Sequence, residues 1–188
     1  MDKNSLRKKF LAERRALPSQ ELDRRNRLIF QYFMDFVAQS DHEVYHCFLP
    51  IENNAEVNTW PMVAYLLEQD KKVVVSKSDL HVNTLTNYYY ESEEQMAINK
   101  WGIPEPTGGE EAESEEIDVV LIPLIVFDKS GHRVGYGKGY YDRFLQSCRQ
   151  DVMKTGLSLL APIDIIPDTA SHDIPMDNCL SPVGIHNF

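Results

Sequence analysis

The stretch IDVVLIPLIVFDKSGHRVGYGKGYYDRFL, residues 117–145, decides the reading of this chain. Its first part, Ile117 to Phe127, is almost continuously apolar and is flanked by Asp118 and Asp128. That length and flanking fit a strand buried on both faces, followed by an extended turn. Pro123 belongs near the strand's end, because proline supplies no donor to a central ladder. After the glycine-rich loop, Tyr141, Phe144, Leu145 and Cys148 recur at intervals of three, four and seven, so a helix follows directly.

Upstream, Glu43 to Leu49 alternates and is rich in β-branched and aromatic residues, a strand stopped by Pro50. The polar loop IENNAEVNT leads to a helix around Pro61 to Gln69, with Asn58 or Thr59 as cap and Pro61 tolerated in the first turn. Lys71 to Ser76 is a second strand, which completes a βαβ rhythm and an α/β class. Asp79 to Tyr90 is ambiguous, and its run Tyr88 to Tyr90 suits a strand or a pocket wall. A short helix is expected over Glu91 to Trp101, ending at Gly102 before IPEP. The acidic run TGGEEAESEEI is expected to loop over the surface in water. Gly156 to Ala161 offers another strand, and the closing section has too many prolines and aspartates for a long helix.

At the other end, Leu6 to Leu17 reads as a helix, broken at Pro18 and Ser19 before a second helical run to Val37. Leu6, Phe10 and Leu17 share an apolar stripe, while Lys3, Arg7 and Arg14 recur at four and seven on a neighbouring polar stripe. A solvated face and a membrane-surface helix are the competing readings of this cationic strip. The second is disfavoured by its shortness and lack of exposed aromatic anchors.

Composition bounds the rest. With 188 residues, 43% hydrophobic and 26% charged, the chain fits one globular domain, able to bury roughly 70% of its unfolded surface. The net charge of −10 gives no global field for nucleic acid or anionic lipid. Cys47, Cys148 and Cys179 cannot all pair and form no CxxC unit, which suggests a reducing compartment and no structural zinc. The N-terminal residues lack the apolar core of a secretory signal, and no window approaches a membrane span, so a cytoplasmic protein is expected.

The chemistry concentrates in the glycine loop. Gly135, Gly137 and Gly139 alternate with Tyr136 and Lys138, so the backbone can curve around an anion while helix-start amides and the Lys138 ammonium bind phosphate oxygens. Arg133 can add a bidentate contact. The loop is neither a Walker A motif nor a GxGxxG fingerprint. Asp142 would repel a bare polyphosphate, but Mg²⁺ converts that repulsion into coordination. A second carboxylate can come from SHDIPMD, where Asp173 is preferred over Asp177. The histidines make neither a metal set nor a triad, and the cysteines read as small apolar fillers or inert surface groups. Trp60 and Trp101 read as packing residues.

The ordered set KNSLR (3–7), EVNT (56–59), GIPEP (102–106), IPLIVFDKSGHRVGYGKGYYDRFL (122–145) and IPDTASHDIPMD (166–177) resembles the 5-formyltetrahydrofolate cyclo-ligase family over nearly the whole chain. The FD-x-x-G-x-R…GxGxGYYD portion is its most specific element. The resemblance implies one domain, residues 1–188, folded as a three-layer α/β/α sandwich with a largely parallel, Rossmann-like sheet. It also implies an enzyme that uses Mg-ATP to close 5-formyltetrahydrofolate into 5,10-methenyltetrahydrofolate, releasing ADP and phosphate.

By the same resemblance, Lys3 and Arg7 contact the nucleotide, and Arg133, Val134, Gly135, Tyr136, Gly137, Lys138, Gly139, Tyr140 and Tyr141 form its phosphate loop. Lys138 and Arg133 offset charge in the transfer, Asp142 and Asp173 hold Mg²⁺, and Glu56 contacts the folate. Trp60, close to Glu56 in sequence, is a candidate pterin wall. The expected partners are ATP, Mg²⁺ and the folate, including its polyglutamylated form, with no nucleic acid, no membrane and a monomeric state. Three positions depart from the family: Tyr136 where some members carry arginine near the folate, Ser76 where proline is frequent, and Pro162 where glutamine is frequent. Two other readings stand beside this one: an ATP-dependent enzyme acting on another folate or heterocyclic amide, and a nucleotide-responsive binding protein without turnover.

Overall fold

The computed structural model describes residues 1–79, 81–99 and 102–188. Helix α1 (Lys3–Arg15) starts at Asp2, whose carboxylate accepts the Ser5 N–H at 2.7 Å, which satisfies one of the first-turn donors. Pro18 separates it from α2 (Ser19–Ala38), whose Ile29, Phe33 and Val37 stack at intervals of four on one buried face. Strand β1 (Val44–His46) is followed by α3 (Trp60–Glu68), with Pro61 in its first turn. Then come β2 (Lys72–Asp79), β3 (Thr84–Tyr89), β4 (Met96–Ile98) and β5 (Pro104–Pro106). The segment quoted first supplies β6 (Val119–Pro123), β7 (Val126–Phe127), β8 (Arg133–Val134) and α4 (Tyr140–Ser147). The chain closes with β9 (Met153–Leu157), β10 (Asn178–Ser181) and β11 (Gly184–Asn187).

Seven strands form one sheet in the order β11-β10-β9-β6-β1-β2-β3. The pairs from β10 to β2 are parallel, and the two edge pairs, β10 with β11 and β2 with β3, are antiparallel. Central strands are buried on both faces, and their side chains divide by period two. Tyr45, Val73, Val75, Val119 and Leu121 pack with Ile29 and Phe33 of α2 and Met62 and Leu66 of α3. Val44, Val74, Val120 and Ile122 pack on the opposite face with Phe144 and Leu145 of α4. The domain is therefore a three-layer α/β/α sandwich with a mostly parallel sheet. Helix α1 stands outside those layers, where Leu6 and Phe10 cover Ile125, Val126 and Val134. Among the described residues no helix is long and apolar enough to cross a membrane.

Several local expectations are corrected. The segment expected as a helix over 91–101 is a 3-10 turn, Glu93–Gln95, followed by β4 paired with β5. Met96 is the main residue of this segment that packs on the core, which is too little for an amphipathic helix face; Trp101 lies outside the described residues. The strand expected at 156–161 begins at Met153 and ends at Leu157, in register with β6. The ambiguous stretch forms a long hairpin in which Ser76 faces Asn87 across β2 and β3. The acidic run is a loop with exposed glutamates, but its Ala112 is buried against Val44 and Val74.

Between β1 and β6 the strand order reverses: β2 lies beyond β1, and β9 lies beyond β6. In open parallel sheets the crevice outside the carboxyl ends at such a point is where ligands bind.

Candidate active site

A cleft of about 1180 Å³ opens at that crevice, where Phe48 and Leu49 follow β1 and Pro123 ends β6. Its walls come from α1, the 51–56 loop, the glycine loop, the start of α4 and the 172–174 turn. The residues expected to contact nucleotide, metal and folate through the quoted motifs line it: Lys3, Arg7, Glu56, Arg133 through Tyr141, Asp142 and Asp173. Trp60 and Pro162 are not among the lining residues; Trp60 stands edge-on to Tyr90 at 6.3 Å, the packing role.

At one end, α1 and the glycine loop meet. Lys3 Nζ pairs with Asp173 Oδ2, and the Lys3 backbone N–H donates to Asp168 at 2.9 Å. Arg7 Nε donates to the Gly135 carbonyl at 2.7 Å. Gly137 has φ +86, a conformation that calls for glycine, and a Cβ there would sit 3.0 Å from the Arg7 guanidinium. Gly139, at φ +69, turns the loop into α4. Lys138 is exposed, while its carbonyl accepts Arg143 Nη2 at 2.5 Å; Arg143 Nε reaches the Asn83 carbonyl at 3.0 Å. Arg143 thereby ties the loop to the β2–β3 hairpin.

Arg133 is held rather than free. Its Nη2 pairs with Asp142 Oδ1 at 2.7 Å and its Nη1 donates to the Ile174 carbonyl. Burial lowers its pKa, opposed by Asp142 and Asp173, which favour the charged form. Asp142 also accepts the Ile174 N–H at 3.3 Å. Burial alone would raise the Asp173 carboxyl, but the Ala170 N–H at 2.6 Å and the Lys3 ammonium outweigh it and hold it below the usual carboxylate range. Asp142 contacts the Arg133 guanidinium and Asp173 acts on it through its charge, and both carboxylates offer hard oxygen ligands. No group of three or more His, Cys, Asp or Glu gathers for a metal among the described residues. A pair of carboxylates suits an ion such as Mg²⁺, which keeps waters and takes phosphate oxygens rather than an all-protein cage.

The other end is buried. Glu56 is 7% exposed; its Oε2 accepts the Ile51 N–H at 2.7 Å and its Oε1 accepts the Tyr136 hydroxyl. Burial pushes this carboxyl up, against Tyr136, Ile51 and Arg14, which lower it. Arg14, read from the sequence as part of an outward strip, is 3% exposed and donates to Tyr136 Oη at 2.5 Å. Its spacing of seven from Arg7 was the available signal, but spacing alone did not separate a buried cation from a solvated one.

Tyr141 serves both core and cleft, packing on both sheet faces and meeting His46 edge-on at 5.9 Å. Tyr140 reaches the Asp79 carbonyl at 3.3 Å. Behind them, His46 Nε2 meets Ser76 Oγ at 2.7 Å, and Ser76 donates to Asn87 Oδ1 at 2.8 Å. The departure at Ser76 thus anchors a buried polar chain. Burial depresses the His46 pKa to about 3, so the ring is neutral near pH 7.

The chain matches the 5-formyltetrahydrofolate cyclo-ligase family over residues 1–182. It is 29% identical over 189 aligned positions to the mouse 5-formyltetrahydrofolate cyclo-ligase, covering 95% of this chain and 92% of that one. It is 31% identical to the enzyme of that name from Mycoplasma genitalium, covering 84% of this chain and 85% of the relative. Among solved structures, it resembles a 5,10-methenyltetrahydrofolate synthetase from Mycoplasma pneumoniae with a TM-score of 0.76 at 26% identity, over 97% and 99% of the two chains. The Aquifex aeolicus 5,10-methenyltetrahydrofolate synthetase superposes with a TM-score of 0.78 at 27% identity, over 100% of this chain and 93% of that one. With the motif set gathered on one cleft and similarity running the length of the fold, this chain belongs to the 5-formyltetrahydrofolate cyclo-ligase family and is an enzyme.

Proposed function

We propose that the enzyme closes 5-formyltetrahydrofolate to 5,10-methenyltetrahydrofolate with consumption of Mg-ATP and release of ADP and phosphate. The observation that carries this reading is the single cleft in which a cationic phosphate loop and a buried carboxylate face the same space. A formamide oxygen leaves poorly, and phosphorylation makes it a phosphate leaving group, so N10 can attack the carbon and close the ring. Bound Mg²⁺ would neutralise phosphate charge.

The protein's own groups do the remaining work. Asp142 and Asp173 supply the oxygen ligands. Lys3, Arg7 and the exposed Lys138 offset phosphate charge, while Arg133 balances the charge of Asp142 and Lys3 that of Asp173. The loop's role is positioning and electrostatic stabilisation, since phosphoryl transfer demands an in-line approach more than covalent help. Glu56 receives N–H donors of the pterin and so orients the folate. Tyr140 and Tyr141 shape the wall between the two ends.

The test is direct. Purified protein mixed with 5-formyltetrahydrofolate, ATP and Mg²⁺ is expected to generate the methenyl chromophore and ADP in equal amounts. ADP without the chromophore, or neither product, overturns the reading.

A further inference from the structure

The glycine loop reaches the buried end of the cleft through one side chain, Tyr136. A guanidinium only donates, so in the contact with Arg14 Nη2 at 2.5 Å the phenol oxygen is the acceptor. The phenol's single proton is then directed to Glu56 Oε1. The direction of the chain is fixed: Arg14 to Tyr136 to Glu56. Arg14 is itself immobilised, with Nε on the Asn54 carbonyl and Nη1 on the Leu124 carbonyl, each at 2.9 Å. The far oxygen of Glu56 is pinned by the Ile51 N–H.

We infer that Arg14 and Tyr136 are positioning residues that hold Glu56 as an oriented carboxylate for the folate, so that a neutral phenol relays a buried positive charge across the cleft. The inference rests on the assignment of Glu56 to the pterin. It gives Tyr136 a task different from phosphate binding, although it lies in the phosphate loop. The charged and titratable groups facing Glu56 are Arg14 from α1, Tyr136 from the loop and Tyr141 from α4. Tyr141 is a neutral phenol whose pKa is raised further by burial. Arg14 is thus the one cation among them, and it makes its hydrogen bond to Tyr136. Removing the Tyr136 hydroxyl takes away a donor to the carboxylate, so Glu56 protonates at higher pH. A pterin N–H then meets a carboxylic acid instead of a carboxylate.

The experiment compares Tyr136→Phe, Arg14→Lys and Glu56→Gln with wild type. It uses separate binding titrations for 5-formyltetrahydrofolate and ATP, the pH profile of kcat/KM for the folate, and thermal unfolding. Tyr136→Phe is expected to weaken folate binding about tenfold, to move the acid limb to higher pH, and to leave ATP affinity within about twofold. Arg14→Lys, which keeps the charge but loses the fork, is expected to lie between it and wild type. A loss of thermal stability with folate and ATP affinity lowered equally and no movement of the acid limb overturns the relay and leaves a structural role. Folate affinity and acid limb at wild-type values in Tyr136→Phe and Arg14→Lys, with Glu56→Gln still weakened, overturn it too. Wild-type folate binding in Glu56→Gln, or no turnover of 5-formyltetrahydrofolate by wild type, marks failure of the underlying functional reading, and the relay falls with it.

Discussion

At the phosphate end of the cleft, Lys138 is exposed and Lys3 and Asp173 are only partly buried. At the end proposed for the folate, Arg14 and Glu56 are almost wholly buried, and both are held by backbone hydrogen bonds. The first arrangement can exchange one partner for another when an anion arrives. The second is preorganised, because breaking it would strand a charge in a poorly solvated site. Mutations at the two ends should therefore differ in kind: function without stability at one, stability together with function at the other.

The sharpest break in that comparison is Arg14→Ala. It leaves Tyr136, Asn54 O and Leu124 O without their donor and should cost about 3–5 kcal/mol of stability, the usual loss when one partner of a buried charged set is removed. Urea unfolding measures it, and a loss below about 1 kcal/mol would make Arg14 a surface residue energetically. Next in size, Asp142→Asn and Asp173→Asn should lower the cyclisation rate on the order of 100-fold at limiting Mg²⁺, because an amide is a poorer ligand for a hard cation. Steady-state rates across a magnesium titration read this, and wild-type rates at every concentration reject the metal assignment.

Glu56→Gln should weaken folate by about 1–3 kcal/mol while sparing ATP. Equal weakening of both ligands would assign Glu56 to the frame of the cleft. Smaller again, Lys3→Ala, Arg7→Ala and Lys138→Ala should each raise the ATP requirement by about tenfold, with Lys138→Ala also slowing turnover. Their melting temperatures should stay near wild type; variants that lose stability but not nucleotide affinity would turn the cationic strip into a scaffold.

A last effect concerns His46, which lines the cleft but has no proposed ligand role. His46 is neutral in the fold, with its pKa depressed to about 3 from the ordinary 6.5. The unfolded chain takes up a proton below pH 6.5 that the folded chain refuses. Stability from this group is therefore complete above pH 6.5 and declines as pH falls toward 3, with a slope of at most about 1.4 kcal/mol per pH unit. His46→Leu should flatten that slope in unfolding measurements between pH 4 and 7, and an unchanged slope would mean that other groups carry it.

The strand–loop–helix frame of the glycine loop was legible because its pattern is local. Arg133 to Asp142 is one strand–loop–helix run, and glycine alternation with a cation describes what the backbone must do there. The α/β class was legible from the continuous apolar run at 117–127 and the βαβ rhythm before it, while the three layers came with the family resemblance. The relay was not, since Arg14, Glu56 and Tyr136 lie on three elements and no periodicity links them. Residue type alone singles out Asp142 and Asp173, whereas their ion pairs, Asp142 with Arg133 and Asp173 with Lys3, are tertiary contacts that no local pattern shows. The segment after Tyr90 is a strand for a related reason: β4 exists because β5 is there to pair with it, a tertiary choice that its own weak pattern does not announce.

The Lys3–Asp173 pair closes a loop of 170 residues. A chain emerging vectorially during synthesis presents α1 long before its acidic partner exists. The central strands, joined by shorter connections, can assemble first, because contacts distant in sequence carry the larger closure entropy. The proposed phosphate clamp is then completed only when the 168–174 turn reaches α1, so a chain interrupted before that turn would carry β1 to β9 without the Lys3–Asp173 pair.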